Sequence, residues 1–189
     1  MATSLAEVSK LLQSAGIEFR PHEGDSLLIP AETRTYKDAD GDQILFLVLQ
    51  VLEGGEYLQL FCPMAFKVEG PHVDVFLKAC AIVQWRTKLI QFEYDPRDGE
   101  IRPTIELPLE DSKVTARQLL RCVRGMVMLM DTYYPVLDRA RTEGIIDFPA
   151  SETTDVSQII DSLAEQYPAE MLGEALRRSI AMRQRPIPS

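Results

Sequence analysis

Apolar residues recur at helical spacing in three segments of the chain. The first segment predicts a helix over residues 5–15, and the second predicts one that begins at Gly70-Pro71, because proline suits the first helical position. The third segment predicts the longest helix, Ala116–Arg139, which opens with the capping-box pair Thr115 and Gln118. We therefore expect three helices, of which the third is the longest.

The third predicted helix is apolar on two sides. Its main stripe recurs every three or four residues: Leu119, Val123, Met126, Met130, Tyr133 and Leu137. Leu120, Met128 and Tyr134 lie off that stripe, so a second apolar side needs a cover of its own. Pro135 is expected to kink this helix or end its regular part, because proline clashes with the carbonyl four residues earlier.

Runs of apolar and alternating residues between these helices predict β-strands. Gln43–Leu52 is nearly all apolar, which is typical of a central strand buried on both faces. Glu53-Gly54-Gly55-Glu56 then predicts a hairpin that leads into a partner strand at residues 57–61.

Two prolines bear on the remaining strands. Pro30 is expected to end a short strand at residues 27–29, and the polar segment that follows is interpreted as an exposed loop. Leu89–Tyr94 and Glu100–Leu107 form a second predicted strand pair. Pro103 lies inside this pair and lacks a ladder donor, so its strand should be an edge strand or contain a bulge.

The order of these elements predicts an α+β fold, with helices packed on an antiparallel sheet of about five or six strands. Residues 1–149 form the predicted domain, and residues 150–189 form a C-terminal helical extension. The extension contains two amphipathic segments, Val156–Gln166 and Ala169–Arg183. Helices this short are marginal in water alone, so each of them needs a surface to pack on.

Charge and segment lengths exclude several classes of protein. The chain has 20 Lys and Arg against 29 Asp and Glu, a net charge of −9, which disfavours binding to phosphate backbones. The longest apolar run, Ile44–Leu49, is much shorter than a membrane helix, and no signal peptide is apparent at the start. Three widely spaced cysteines are interpreted as buried thiols. We therefore expect a cytoplasmic protein that binds neither membrane nor nucleic acid.

Candidate chemistry is sparse in this sequence. The acidic run Asp38–Asp42 lacks the glutamate that a calcium loop needs at its twelfth position, and residues 93–100 place their carboxylates around one tight turn. His22 and His72 are the only histidines, and neither lies near a nucleophile motif. We therefore expect no catalytic residues, no cofactor and no metal.

The element order resembles the YbjN family, which shares the fold of the type III secretion chaperones. The resemblance lies in the hairpin at residues 92–102, in residues 105–110 and in Asp131-Thr132-Tyr133-Tyr134-Pro135, and it covers about residues 5–140. Family members are regarded as candidate regulators or chaperone-like binding proteins without a defined active site. The resemblance implies the fold, and by analogy a protein that dimerises or binds protein segments.

The hypothesis from the sequence is a non-enzymatic protein-binding, chaperone-like or regulatory module whose partner is another protein or a second copy. The candidate interface residues are Val73, Phe76, Leu77, Trp85, Leu120, Met128, Ile160, Leu163, Leu172 and Leu176. Trp85 has a second interpretation, as a core residue. The alternative function is a regulator that senses a small ligand in a pocket between the sheet and the long helix.

Overall fold

A computed structural model describes residues 2–148 of the chain, which form three α-helices and one seven-stranded antiparallel sheet. The helices are α1 (Leu5–Ser14), α2 (Val73–Arg86) and α3 (Ala116–Thr142). The strands are β1 (Arg20–His22), β2 (Ser26–Glu32), β3 (Ile44–Leu52), β4 (Tyr57–Phe61), β5 (Phe66–Lys67), β6 (Gln91–Asp95) and β7 (Glu100–Pro108). The α+β fold class is confirmed. The predicted extension, residues 150–189, lies outside the described residues.

The sheet is built from hairpins and one longer connection. Its order is β1-β2-β3-β4-β7-β5, and β6 pairs with the other edge of β7. The predicted hairpin between β3 and β4 is confirmed, with a 3₁₀ turn at Glu53–Gly55. A Cβ on Gly55 would collide with the backbone of Thr3, so the close approach of the N-terminus requires glycine there.

The helices pack on one face of the sheet. Alternate strand residues on that face are almost fully buried: Leu27, Ile29, Leu45, Leu47, Leu49, Leu58, Leu60, Ile101 and Ile105. The sequence predicted that β3 is buried on both faces, and this is correct only in part. On the face opposite the helices, Val48 is 2% exposed, whereas Phe46 and Leu52 are 36% and 37% exposed.

The prolines in the strands behave differently from the predictions. Pro30 does not end its strand, since β2 continues to Glu32 and Pro30 pairs with Phe46 of β3. On its other side, β2 is paired with β1 only as far as Leu28. Pro30 therefore lies where the strand has a single neighbour, and such a position tolerates the missing donor.

Pro103 lies in β7, which is paired with β4 and β5 on one side and with β6 on the other. The edge-strand alternative is therefore wrong. Pro103 is paired with Phe92 of β6, and its carbonyl accepts a hydrogen bond from the Cys62 N–H at 3.1 Å. On the Cys62 side, four residues, 62–65, separate β4 from β5 opposite only two residues of β7. This bulge-like interruption faces the missing N–H of Pro103, but its extra residues lie opposite β7, whereas the prediction placed a bulge in the strand of Pro103 itself.

Pro135 does not end α3, which runs for 27 residues to Thr142. A proline at this position cannot donate to the carbonyl of Asp131, four residues earlier. The hydroxyl of Thr35, from the loop after β2, donates to that carbonyl instead. The long helix is therefore compatible with an internal proline because a distant loop satisfies the freed acceptor.

Candidate functional site

The outward side of the first half of α3 combines exposed apolar side chains with arginines. We call this surface the α3 basic face: Arg117, Leu120, Arg121, Arg124, Gly125 and Met128, which line a shallow depression of about 610 Å³. Met128 is 66% exposed, which is high for a methionine, whereas Leu120 is half-buried. Two residues of the predicted interface thus lie together on one surface.

The periodicity of α3 places these side chains outward. The capping box at its start is present, since the Thr115 N–H donates to Gln118 Oε1 at 2.9 Å and the Gln118 N–H donates to Thr115 Oγ1 at 3.3 Å. The stripe that packs inward is buried: Leu119, Cys122, Val123, Met126 and Met130. With 3.6 residues per turn, burial of that stripe leaves the α3 basic face in solvent.

The arginines of this face have no partners within residues 2–148. Other arginines pair with carboxylates, for example Arg102 with Glu93 at 2.5 Å and Arg141 with Asp138 at 2.6 Å. None of the three guanidinium groups on the α3 basic face makes an ion pair or a hydrogen bond there. The segment 116–130 holds these three arginines and no acidic residue. The result is a local positive surface on a chain of net charge −9.

A larger open groove continues from this face toward the sheet. Its volume is about 950 Å³, and it lies between the end of β2, residues 29–34, and α3 residues 123–132. Residues 16–18, which follow α1, form its end. Arg124 and Met128 line both the groove and the depression, so the two form one continuous surface.

Asp131 fixes one wall of the groove. Its Oδ1 accepts hydrogen bonds from the backbone N–H groups of Arg34, Thr35 and Tyr36, at 2.9, 2.9 and 3.1 Å. We call this arrangement the Asp131 anchor. Partial burial raises the pKa of the carboxyl, but these hydrogen bonds outweigh burial, so the pKa of Asp131 lies below its usual range. The anchor ties the loop after β2 to α3.

Tyr36 holds the same loop from the inside. Its ring is 2% exposed and meets Tyr134 at 5.3 Å and Phe66 at 6.1 Å, both edge to face, and its hydroxyl donates to the Ala65 carbonyl at 3.1 Å. Burial raises the pKa of Tyr36, which keeps the phenol neutral. Together with Phe76, these rings form a cluster that makes the loop part of the core.

The rest of the predicted interface is divided among several places. Val73 and Leu77 are half-buried on α2, and Trp85, at the end of α2, is 86% exposed, so its interpretation as core is wrong. Phe76 is fully buried in the aromatic cluster, so within this chain it is a core residue and offers no contact surface. Four further residues of the predicted interface lie outside the described residues: Ile160, Leu163, Leu172 and Leu176.

The cysteines and the acidic run at residues 38–42 have structural roles. Burial raises the pKa of Cys62 to about 12 and also raises the pKa of Cys80 and Cys122, as is typical of inert thiols. Asp38 caps its own turn by accepting N–H groups of Asp40 and Asp42. Residues 2–148 contain no group of three or more His, Cys, Asp or Glu side chains arranged to hold a metal.

The carboxylates near residues 93–100 belong to the β6–β7 turn and its strands. Asp95 accepts from the guanidinium of Arg97, and this hydrogen bond is the main reason that the pKa of Asp95 is lowered to about 2. Glu93 pairs with Arg102 at 2.5 Å. These contacts satisfy the carboxylates within the hairpin, in agreement with the interpretation as a turn.

Comparison with known proteins gives a result at the level of the fold. No protein-family model matches the chain, and no curated protein matches its sequence. A solved structure that matches is the crystal structure of YbjN from E. coli, described as a candidate transcription regulator. It matches with a TM-score of 0.53 and 10% sequence identity, over 71% of this chain and 94% of YbjN. The chain has the YbjN fold.

The segments that suggested this fold are structural in this chain. The first two belong to the β6–β7 hairpin and to the path from β7 toward α3. In the third, Asp131 forms the anchor, Tyr134 packs on Tyr36, and Pro135 frees the carbonyl that Thr35 contacts. Of the helices in the described part of the chain, none is both long and apolar enough to cross a membrane. The likeness to type III secretion chaperones stays a prediction.

Proposed function

We propose that this protein is a non-enzymatic protein-binding module and that it contacts its partner through the α3 basic face. The observation that carries the proposal is the exposure of Met128 between three arginines that have no partner within residues 2–148. Methionine and arginine are enriched at protein interfaces relative to the rest of the surface. We propose that its role is regulatory and that the protein acts in the cytoplasm.

The description of YbjN as a candidate transcription regulator is compatible with this proposal. A regulator can act on nucleic acid directly or through another protein. The net charge of −9 favours the second route, because the whole chain repels phosphate backbones. A second copy of the chain is also a possible protein partner under this proposal, and light scattering at micromolar concentration would then give about twice the chain mass.

The test compares two exposed methionines in the full chain. Met128 is 66% exposed on the α3 basic face, and Met64 is 53% exposed between β4 and β5, so Met64→Asp is a matched control for Met128→Asp. Both variants and the natural chain are used for quantitative affinity capture from native lysate. We expect Met128→Asp to lose proteins that Met64→Asp and the natural chain retain. Equal recovery by both variants would remove the α3 basic face from the proposal.

The groove itself favours a second candidate function, a regulator that senses a small ligand. The groove lies between β2 and α3, where the alternative hypothesis placed a pocket, and it combines apolar Ile29 and Val127 with charged Arg34. A thermal-shift screen of metabolites tests this function, since a ligand at about a hundred times its Kd adds ~2.7 kcal/mol of stability. Val127→Trp should obstruct the groove beside α3 and reduce the shift.

A further inference from the structure

The chemistry of the α3 basic face also indicates which kind of partner fits it. We infer that the face binds an acidic amphipathic helix of a partner protein; this inference rests on the proposed function. Three observations support it: the arginines without a partner within residues 2–148, the length of the surface, and a glycine in the middle of α3.

The arginines specify the charge of the partner. Arg117, Arg121 and Arg124 follow one another at spacings of four and three residues, so they lie on one side of the helix. Arg117 lies in the first turn of α3, where the helix dipole disfavours a cation, and the first turn contains no acidic residue. This arrangement costs stability in the isolated chain, whereas carboxylates on a partner would form ion pairs with the same three groups.

The length of the surface fits a helix. From Arg117 to Thr132, α3 rises about 22 Å at 1.5 Å per residue, which matches a partner helix of about 15 residues lying along it. Leu120 and Met128 provide apolar contacts near the two ends of the depression. An amphipathic helix can place its own apolar side chains there and its acidic side chains over the arginines.

Gly125 indicates a close approach at the centre. A glycine inside a helix costs about 0.5–1 kcal/mol relative to alanine, so its presence needs a reason. A Cβ added to Gly125 would meet nothing within 4 Å, and its φ is not in the left-handed region, so neither packing nor backbone geometry within the described residues requires glycine. It leaves a notch between Arg121, Arg124 and Met128 in which a second helix can approach closely.

The groove end of the surface has a different charge pattern. Glu18 and Glu32 line the groove together with Arg34. Acidic side chains of the partner are therefore favoured over Arg117, Arg121 and Arg124 and disfavoured beyond Met128. This asymmetry gives the partner helix a preferred direction along α3.

Selection from a display library of random helical peptides of about 15 residues tests the inference with the full chain as target. We expect the selected peptides to combine Leu, Ile or Phe at helical spacing with Asp and Glu. A second target carries Arg121→Glu and Arg124→Glu, and it should select Lys and Arg instead. The matched control carries Lys78→Glu and Lys88→Glu, which change the net charge equally on exposed α2-side positions, and it should still select acidic peptides.

Gly125 provides an independent readout with the strongest selected peptide. Gly125→Leu fills the notch and should weaken peptide binding about tenfold or more. Gly125→Ala should weaken binding less while raising the midpoint of thermal unfolding, so affinity and stability change in opposite directions. If Gly125 had only a structural role, Gly125→Ala would lower both the peptide affinity and the midpoint of thermal unfolding, or it would leave the affinity unchanged.

Several results would overturn the inference. These are selected peptides without acidic enrichment, identical peptides from the natural and charge-reversed targets, or displacement of the peptides by random double-stranded DNA at physiological salt. A dimer in light scattering that Arg121→Glu disrupts would also overturn it, in favour of a second copy. If Met128→Asp loses captured proteins while the acidic preference is absent, the proposed function stands and only this inference fails.

Discussion

The two halves of α3 carry similar side chains and use them in opposite ways. In the second half, the Asp131 carboxylate binds the loop after β2, and Arg139 and Arg141 pair with nearby carboxylates. In the first half, the arginines of the α3 basic face make no such contacts within residues 2–148, and Met128 is in solvent. One helix thus holds the fold together at one end and presents a surface at the other.

The contacts of the second half of α3 are explained by the stability of the fold. The residues of the α3 basic face need another explanation. The second half is explained by the hydrogen bonds that Asp131 accepts and by the aromatic rings that pack around Tyr36. The first half contains a cation opposed to the helix dipole and a glycine without a packing role within residues 2–148, both of which cost stability. Side chains that reduce stability without an internal benefit are expected at binding surfaces, where a partner supplies the missing contacts.

The largest expected effect is at Tyr36. Tyr36→Ala removes a fully buried ring from the cluster with Phe66 and Tyr134, and it should lower the free energy of unfolding by about 3–5 kcal/mol. Tyr36→Phe keeps the ring and should cost only about 1 kcal/mol, for the hydroxyl that donates to Ala65. Urea unfolding measures both. Equal losses for the two variants would show that the ring contributes little.

The next effect is at Asp131. Asp131→Asn weakens three hydrogen bonds from backbone N–H groups to a charged oxygen, and water can replace part of them at this half-exposed site. We expect the free energy of unfolding to fall by about 1–2 kcal/mol, again by urea unfolding. A loss comparable to that of a surface charge, under about 0.5 kcal/mol, would mean that the Asp131 carboxylate contributes little to holding the loop after β2.

The same carboxyl should make stability depend on pH. Because its pKa is depressed in the folded chain, the contribution of Asp131 is complete above its ordinary value of 3.8 and is lost as the pH falls through the lower folded pKa. Asp95 also has a lowered pKa, so the comparison must be with Asp131→Asn rather than with neutral pH alone. The difference in stability between the two chains should shrink in acid. A constant difference would show that the charge has no role.

A smaller effect links Pro135 to Thr35. Thr35→Val removes the hydroxyl that donates to the Asp131 carbonyl and should cost about 1 kcal/mol. In a chain that carries Pro135→Ala, the new N–H can donate to that carbonyl, so the same substitution should cost less. A double-mutant cycle should give a coupling of about 0.5 kcal/mol or more. If the costs of Thr35→Val and Pro135→Ala simply add, the hydroxyl of Thr35 does not compensate for the proline.

The smallest effect is a gain on the α3 basic face. Gly125→Ala should raise the free energy of unfolding by about 0.5–1 kcal/mol, because the added methyl group meets open space and the helix loses less backbone entropy. Thermal or urea unfolding measures it. Destabilisation by Gly125→Ala would show that the glycine serves packing, and the contrast between the halves of α3 would weaken.

Sequence periodicity predicts much of the local structure and part of the site. The Thr115–Gln118 capping box and the hairpin at Gly54-Gly55 depend on neighbours in sequence, and the structure confirms them. The predicted stripe of α3 is buried except for Tyr133. The sequence predicts Leu120 and Met128 as interface residues because they lie off the main apolar stripe of α3. The arginines between them were missed, although three arginines at helical spacing without an acidic residue were visible in the sequence.

Contacts between distant segments could not be predicted in this way. Asp131 and the loop at residues 34–36 are about a hundred residues apart, so no local pattern connects them. The burial of Phe76 and the exposure of Trp85 depend on where the aromatic cluster and the end of α2 lie in three dimensions. The position of Pro103 likewise depends on where β4 and β5 meet β7.

The most direct test of the central claim is a methyl NMR titration of the full chain labelled at its seven methionines. The ligand is the partner recovered by the natural chain and lost by Met128→Asp. We predict that the Met128 methyl signal shifts strongly on binding, whereas the signal of exposed Met64 and that of Met130, buried on the inward side of α3, stay in place. A shift at Met64 with an unchanged Met128 signal would contradict the account.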